Sequence, residues 1–220
     1  MKSLGLHGVR RGKVKRTTIA DTAAHRPRDL VERRFGPLAP NLLWVADITY
    51  VSTWSGWVYV AFVTDAYARR ILGWRTSTSM STPLVLDAVE HAIWTRGRHG
   101  VADLGGVIHH TDAGSQYTAV RFCERLAEAG ISASVGSVGD SFDNALAETV
   151  NGYYKAELIY GPARTGPWKT VEDVELATLG WVYWHNTSRL HSYLADVPPT
   201  EFEAAFYDAQ RTDQPLIGIQ

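Results

Sequence analysis

One cysteine, Cys123, stands in a chain of 220 residues. A single thiol forms no internal disulfide and a structural zinc site needs several Cys and His ligands, so neither scaffold fits; Cys123 reads as a small buried hydrophobe. Long apolar runs are missing as well. No stretch approaches the roughly 18–20 apolar residues of a membrane span, and "MKSLGLHGVRRGKVKR" lacks the apolar core of a secretory signal. The expected address is therefore the cytoplasm. Internal repeats and low-complexity tracts are also absent. What is present, 45% apolar and 11% aromatic residues, suffices for a sizeable core and argues against disorder throughout.

Charge is nearly balanced overall, at −1, but not locally. Residues 1–40 hold ten Lys or Arg against three Asp or Glu, so an arm of +7 precedes a body of −8. Arg10, Arg11, Lys13, Lys15 and Arg16 lie in that arm, which points to a polyanionic partner; a solvated basic tail is the plainer reading. Pro27, Pro37 and Pro40 interrupt it and no apolar period runs through it, as in a linker or the end of a preceding domain.

From Leu42 the pattern changes. "LLWVADITYVST", "WVYVAFVTDA" and "RILGWRT" are β-branched and aromatic runs separated by short turns, which predicts a three-stranded antiparallel meander. "STPLVLDAVEHAIWTRG" is an amphipathic helix with Ser81 or Thr82 as its cap and an end near Gly97. "GGVIHHTD" reads as a short fourth strand, "AVRFCERLAEAG" as a helix stopped by Gly130 and "ISASV" as a short fifth strand. A helical crossover returns the chain in parallel, so the fold class is α/β with a mixed five-stranded sheet, the meander plus parallel strands, flanked by helices. Three further helices follow, the first capped by Asp143 or Asn144. Divided by these patterns, 1–40 is an arm, 41–165 a core and 166–220 a helical extension.

Acids occur at informative places. Asp47 interrupts an apolar strand, where an isolated carboxylate is expensive unless paired or bound to a cation. Asp112 ends the fourth strand, where α/β sheets display reactive groups, although capping the following turn is an alternative. At 100° per residue, Asn144, Glu148, Asn151 and Lys155 share one sector of a helix and Leu146, Val150, Tyr153 and Tyr154 lie roughly opposite. Such a stripe is either a solvated face or part of a site, and Glu157, within the apolar sector, breaks the pattern. His109 and His110, as neighbours on a strand, point to opposite faces and cannot readily share one ion. Ser115 lacks a nucleophile elbow. Trp44, Trp57, Trp74, Trp94, Trp168, Trp181 and Trp184 occur at apolar positions or beside turns, and core packing is expected for most of them, with base stacking the alternative.

Asp47, Asp112 and Glu148 together, with 35 residues between the last two, resemble the DDE triad of transposases and retroviral integrases. The surrounding words are more specific. "WVADITYV", "HHTDAGSQYTAVRF", "SVGDSFDNALAETVNGYYKAELI" and "HNTSRLHSYLADVPPTEF" resemble successive blocks of the integrase-core transposases of the insertion-sequence three family. The resemblance implies a ribonuclease H-like core in which these three acids are catalytic and ligate two Mg²⁺ or Mn²⁺ ions. It implies phosphodiester hydrolysis and strand transfer at insertion-sequence ends, with DNA as the partner of a homo-oligomer that associates with the nucleoid. Lys155 matches a basic residue facing DNA; Asn144, Asn151, Ser115, Gln116 and the basic arm are further candidate DNA contacts. The family's helix-turn-helix precedes the matched segment, so an upstream domain or partner is expected to recognise the ends. His185 and Leu190 depart from the family's late block. Rival readings are a nuclease that only hydrolyses, a DNA-binding remnant without catalysis, and a metal-free glycosidase using two carboxylates.

Overall fold

The computed structural model describes residues 27–101, 103–136, 144–162 and 167–212. Strands β1 (Leu43–Thr53), β2 (Gly56–Asp65) and β3 (Ile71–Ser77) form the meander. Trp54 and Ser55 make the β1–β2 turn, and Gly56 leaves it at φ +117°, a conformation open to glycine. Helix α1 (Thr82–Arg98) returns the chain to β4 (Ile108–Thr111), and α2 (Val120–Glu128) leads to β5 (Ser132–Val135). The sheet order is β3-β2-β1-β4-β5, with β4 parallel to both β1 and β5. After it come α3 (Ala145–Tyr154), a π-helical turn (Lys155–Ile159), α4 (Val171–Thr187) and α5 (Pro199–Thr212).

Helices cover both faces, which is why β1 is buried without alternation at its start and alternates only toward Thr53. On one face Trp44, Ala46 and Val63 meet Leu84, Ala88 and Ala92 of α1 and Phe122 and Leu126 of α2. On the other, Val51, Val60 and Phe62 meet Val150 and Tyr154 of α3 and Trp181 of α4. Among the described residues no helix is long and apolar enough to cross a membrane.

Several expectations need correction. The fourth strand spans Ile108–Thr111 within the longer run read from sequence, pairing with β1 up to Val45↔His110 and with β5 up to Thr111↔Val135. Asn144 is the N-cap of α3 but its side chain makes no capping bond; Asp143 lies outside the described residues. Cys123 is half-buried rather than buried, its Sγ 3.7 Å from the Tyr117 carbonyl. Trp44, Trp168 and Trp181 are core residues, whereas Trp57, Trp94 and Trp184 are exposed.

Candidate active site

Because β4 pairs with β1 only at Leu43–Val45, the rest of β1 has a sheet partner on the β2 side alone. Helix α3 occupies this free edge. Its Asn144 donates through Nδ2 to the Ala46 carbonyl at 3.2 Å, and its Asn151 donates through Nδ2 to Asp47 Oδ2 at 2.9 Å. The other Asp47 oxygen, Oδ1, accepts the Ile48 N–H at 2.8 Å. Both carboxylate oxygens are thereby fixed.

Asp47 is also where the three acids act on one another. Burial, then the charge of Asp112, raises its pKa; Glu148 adds to this, while the Ile48 and Asn151 bonds act against it, and the carboxyl is pushed up to about 7. Asp112 is exposed at the end of β4, its Oδ1 accepting the Gly114 N–H at 3.0 Å. The turn-capping role thus coexists with proximity to Asp47. A Cβ on Gly114 would stand 3.0 Å from that same oxygen, so the turn tolerates no larger side chain without moving the carboxylate. Glu148 is exposed in the first turn of α3. Among the described residues, no three His, Cys, Asp or Glu side chains are gathered closely enough to hold a metal ion.

The other predicted residues divide. Lys155 opens the π-helical turn, with Nζ 4.4 Å from the Tyr50 ring centroid. Asn144 and Asn151 are buried, each donating through Nδ2 to an acceptor on β1, and the Asn151 bond orients Asp47. Ser115 is exposed, and Gln116 donates to the Met80 carbonyl at 3.2 Å. Arg10, Arg11, Lys13, Lys15 and Arg16 lie outside the described residues. His109 faces Tyr117 and Phe122 while His110 faces Ser134 and Phe35, as strand alternation requires.

Three further residues, Tyr117 beside the site and Glu157 and Asn186 in the helical layer, gain defined partners in the fold. Tyr117 is buried and its hydroxyl is driven well above its ordinary pKa by burial, then by Asp47 and Asp112. Glu157 fits once the π-helical turn is known. It accepts from Trp181 Nε1 at 3.0 Å and from Arg189 Nε at 2.8 Å. In the late block, Asn186 accepts the Ile71 N–H at 2.9 Å and donates to the Ile71 carbonyl at 2.8 Å, clasping α4 to β3. His185 beside it is buried 3.1 Å from the Arg69 carbonyl, and Leu190 is exposed.

Known proteins are similar to this chain in sequence and in fold. Two models described as Integrase core domain match residues 37–141 and 129–199. The putative transposase for insertion sequence element IS986/IS6110 of Mycobacterium tuberculosis is 68% identical over 218 residues, 99% of this chain and 77% of that protein. The transposase for insertion sequence element IS629 of Shigella sonnei is 51% identical over 207 residues, 94% of this chain and 66% of that one. Transposase InsF for insertion sequence IS3fB of Escherichia coli is 30% identical over 205 residues, covering 91% and 68% respectively. Among solved structures, the HTLV-2 integrase catalytic core domain in complex with magnesium superposes with TM-score 0.54 at 15% identity, over 76% of this chain and 98% of that one. A chain of the simian T-cell lymphotropic virus intasome, in complex with a PP2A regulatory subunit, gives 0.58 at 14% identity, over 90% and 63%. These last two show the ribonuclease H-like fold alone. Identity sustained over nearly the whole sequence decides the rest: the chain belongs to the insertion-sequence three family of transposases, polynucleotidyl transferases built on an integrase core.

Proposed function

We propose that this transposase cuts and joins DNA at the ends of an insertion sequence through Asp47, Asp112 and Glu148, with two Mg²⁺ or Mn²⁺ ions as cofactor. The observation that carries the reading is the Asp47 carboxylate, held at both oxygens and lying in the field of the other two acids. The donors fit hard divalent cations, since all three offer carboxylate oxygen. Electrostatics agrees: burial and two neighbouring acids push the Asp47 carboxyl up to about 7, and added positive charge would relieve both causes. Such ions, when bound, supply activation of the attacking oxygen and stabilisation of the leaving oxygen at phosphorus.

The chain's own part is placement. Ile48 N–H and Asn151 orient Asp47, Gly114 N–H orients Asp112, and Glu148 projects from the exposed first turn of α3. In the first step water adds to a phosphodiester and the element's 3′ oxygen leaves with a proton. In the second that 3′ hydroxyl attacks a target phosphodiester, forming one P–O bond as another breaks and a target 3′ hydroxyl departs. No side-chain nucleophile is required. Residues 41–165 form the catalytic unit and 166–220 its helical extension; Lys155 and the basic arm contact phosphates. Joining two DNA ends calls for a homo-oligomer, and a helix-turn-helix domain or partner supplies recognition of the ends.

A labelled DNA end titrated with Mg²⁺ or Mn²⁺, scored for nicking and for joining, tests this. Asp47→Asn, Asp112→Asn and Glu148→Gln are expected to bring both products close to zero with DNA binding retained. Substantial residual cleavage in a pure variant rejects the assignment. Nicking without joining by the parent chain would mark a nuclease that only hydrolyses.

A further inference from the structure

We infer that the tip of the β1–β2 hairpin is a base-stacking platform for an unpaired nucleotide beside the scissile phosphate; this rests on the reading of Asp47 as part of the catalytic site. Three large aromatics crowd the tip in water: Tyr50 and Trp57 are each 53% exposed and Trp54 is 73% exposed. The opposite face of the same strands is closed, with Val51 and Val58 buried under the α3 and α4 layer. Register puts Tyr50 and Trp57 on one face, since Tyr50 pairs with Tyr59 and Ser52 with Trp57. Ile48 and Tyr59 on that face still pack against the α1 cluster, and Tyr50 and Trp57 lie beyond it. Their rings meet edge to face, centroids 5.2 Å apart at 86°, which holds each in a defined orientation.

Cations complete the surface. Lys155 Nζ stands 4.4 Å from the Tyr50 centroid and Lys169 Nζ 5.5 Å from that of Trp54. Aromatic faces alternating with ammonium groups are what a single nucleic-acid strand needs, one set for its bases and the other for its phosphates. Position argues the same way. Tyr50 lies three residues beyond Asp47 on β1, about 10 Å at the rise of a strand, with its side chain on the opposite face of the sheet, and Lys155 from the α3 side reaches round the free edge to its ring. Lys155 lies seven residues beyond Glu148, about 10 Å at the rise of a helix. Both tracks start at the acids and end at one ring, along the edge of β1 that β4 leaves free. At a rise of about 3.4 Å per nucleotide, the platform is within about three nucleotides of the reacting phosphate. Within a duplex the base faces are already stacked on one another, so a base reaches these rings only by leaving its pair.

Binding measured in EDTA, where no turnover intervenes, tests the platform separately from the acids. Two DNA duplexes of one sequence serve as probes, one fully paired and one with its last three pairs mismatched, carrying 2-aminopurine in the splayed strand; stacking tolerates any end sequence. The full-length chain is expected to bind the splayed end about ten-fold more tightly and to quench the 2-aminopurine. Trp57→Ala and Tyr50→Ala should abolish most of that preference and the quenching, whereas Trp57→Phe keeps them. An unchanged ratio in the alanine variants overturns the inference, as does equal weakening on both probes or no preference in the parent. If sedimentation of the DNA-free protein shifts while the ratio stays, the patch belongs to a second copy of the chain and the inference is likewise overturned. Retained cleavage in Asp47→Asn would sink the catalytic assignment without touching this ratio.

Discussion

Asp47 has one neutral donor to thank for its orientation at Oδ2, the Asn151 amide at 2.9 Å. Replacing it by leucine leaves that oxygen without its partner and pushes the carboxyl further above about 7, because a bond to the charged form is lost. Asn151→Leu should lower single-turnover nicking by about 10- to 100-fold with DNA affinity unchanged, the usual consequence of removing a group that orients a ligand. The acids themselves were legible in the sequence, as an acid in an apolar strand and another at a strand end. The asparagines' role was not: a helical wheel shows that Asn144, Asn151 and Glu148 share a sector, but not that the sector turns toward a sheet edge. The histidines carry a second test at this scale. Burial, then the neighbouring His110, holds His109 down to about 3; burial also holds His185 down to about 3. With the folded value below the unfolded 6.5, the unfolded chain binds more protons between these limits. Stability is therefore full above pH 6.5 and lost as the pH falls toward 3. His109→Phe, packing on Phe122 and Tyr117, should recover about 2 kcal/mol relative to the parent at pH 5 and flatten the fall of the urea midpoint between pH 7 and 5.

Elements follow from pattern where burial is one-sided or complete, and the meander, α1, α2 and α4 lie within a residue or two of their predicted bounds. The fourth strand is where pattern misleads. Its apolar run stops at Ile108, yet the strand continues through His109, His110 and Thr111 because β1 and β5 pair with them, so its extent is set by the neighbours and not by local preference. Glu157 shows the same limit in a helix. The π-helical turn over Lys155–Ile159 offsets every later side chain from the regular wheel, and this places a carboxylate against Trp181 and Arg189. Close approach of elements is likewise invisible until residues are paired in space. Gly73 of β3 lies under α1 so tightly that a Cβ would stand 2.1 Å from the Ala88 carbonyl oxygen and 2.5 Å from the Ala92 nitrogen. Neither is a flexible side chain that can yield. Gly73→Ala should therefore destabilise by about 2–3 kcal/mol, read as a lower urea midpoint, although alanine is the better strand residue by backbone entropy alone.

At the scale of the molecule, ionic bonds join parts that no motif connects. Arg96, buried at the end of α1, donates through Nη2 to Asp65 Oδ2 at 2.9 Å and through Nη1 to Glu203 of α5, 107 residues away. Arg70 reaches the other Glu203 oxygen at 3.1 Å. Asp65 in turn accepts the backbone N–H groups of Asn41 and Tyr67 at 2.8 and 2.9 Å, so β2, α1 and α5 share one network. Aromatic packing runs beside it, with Tyr67 against Phe202 and Phe206 at 5.2 and 5.1 Å. The sequence offered α5 as the last helix of an extension; only the fold reveals that it is locked to the core through a buried charge. Glu203→Ala strips one partner from buried Arg96 and the carboxylate from Arg70, and breaking such a pair costs about 3–5 kcal/mol. Glu203→Gln should cost less, because the amide oxygen still accepts. If α5 is one cooperative unit with the sheet, the alanine variant unfolds in a single transition at lower urea and amide protection falls across the sheet and α5 together. Were the helix an independent appendage, α5 would lose protection in an earlier, separate step while β1 and β2 kept theirs, so hydrogen exchange across the two regions distinguishes the outcomes directly.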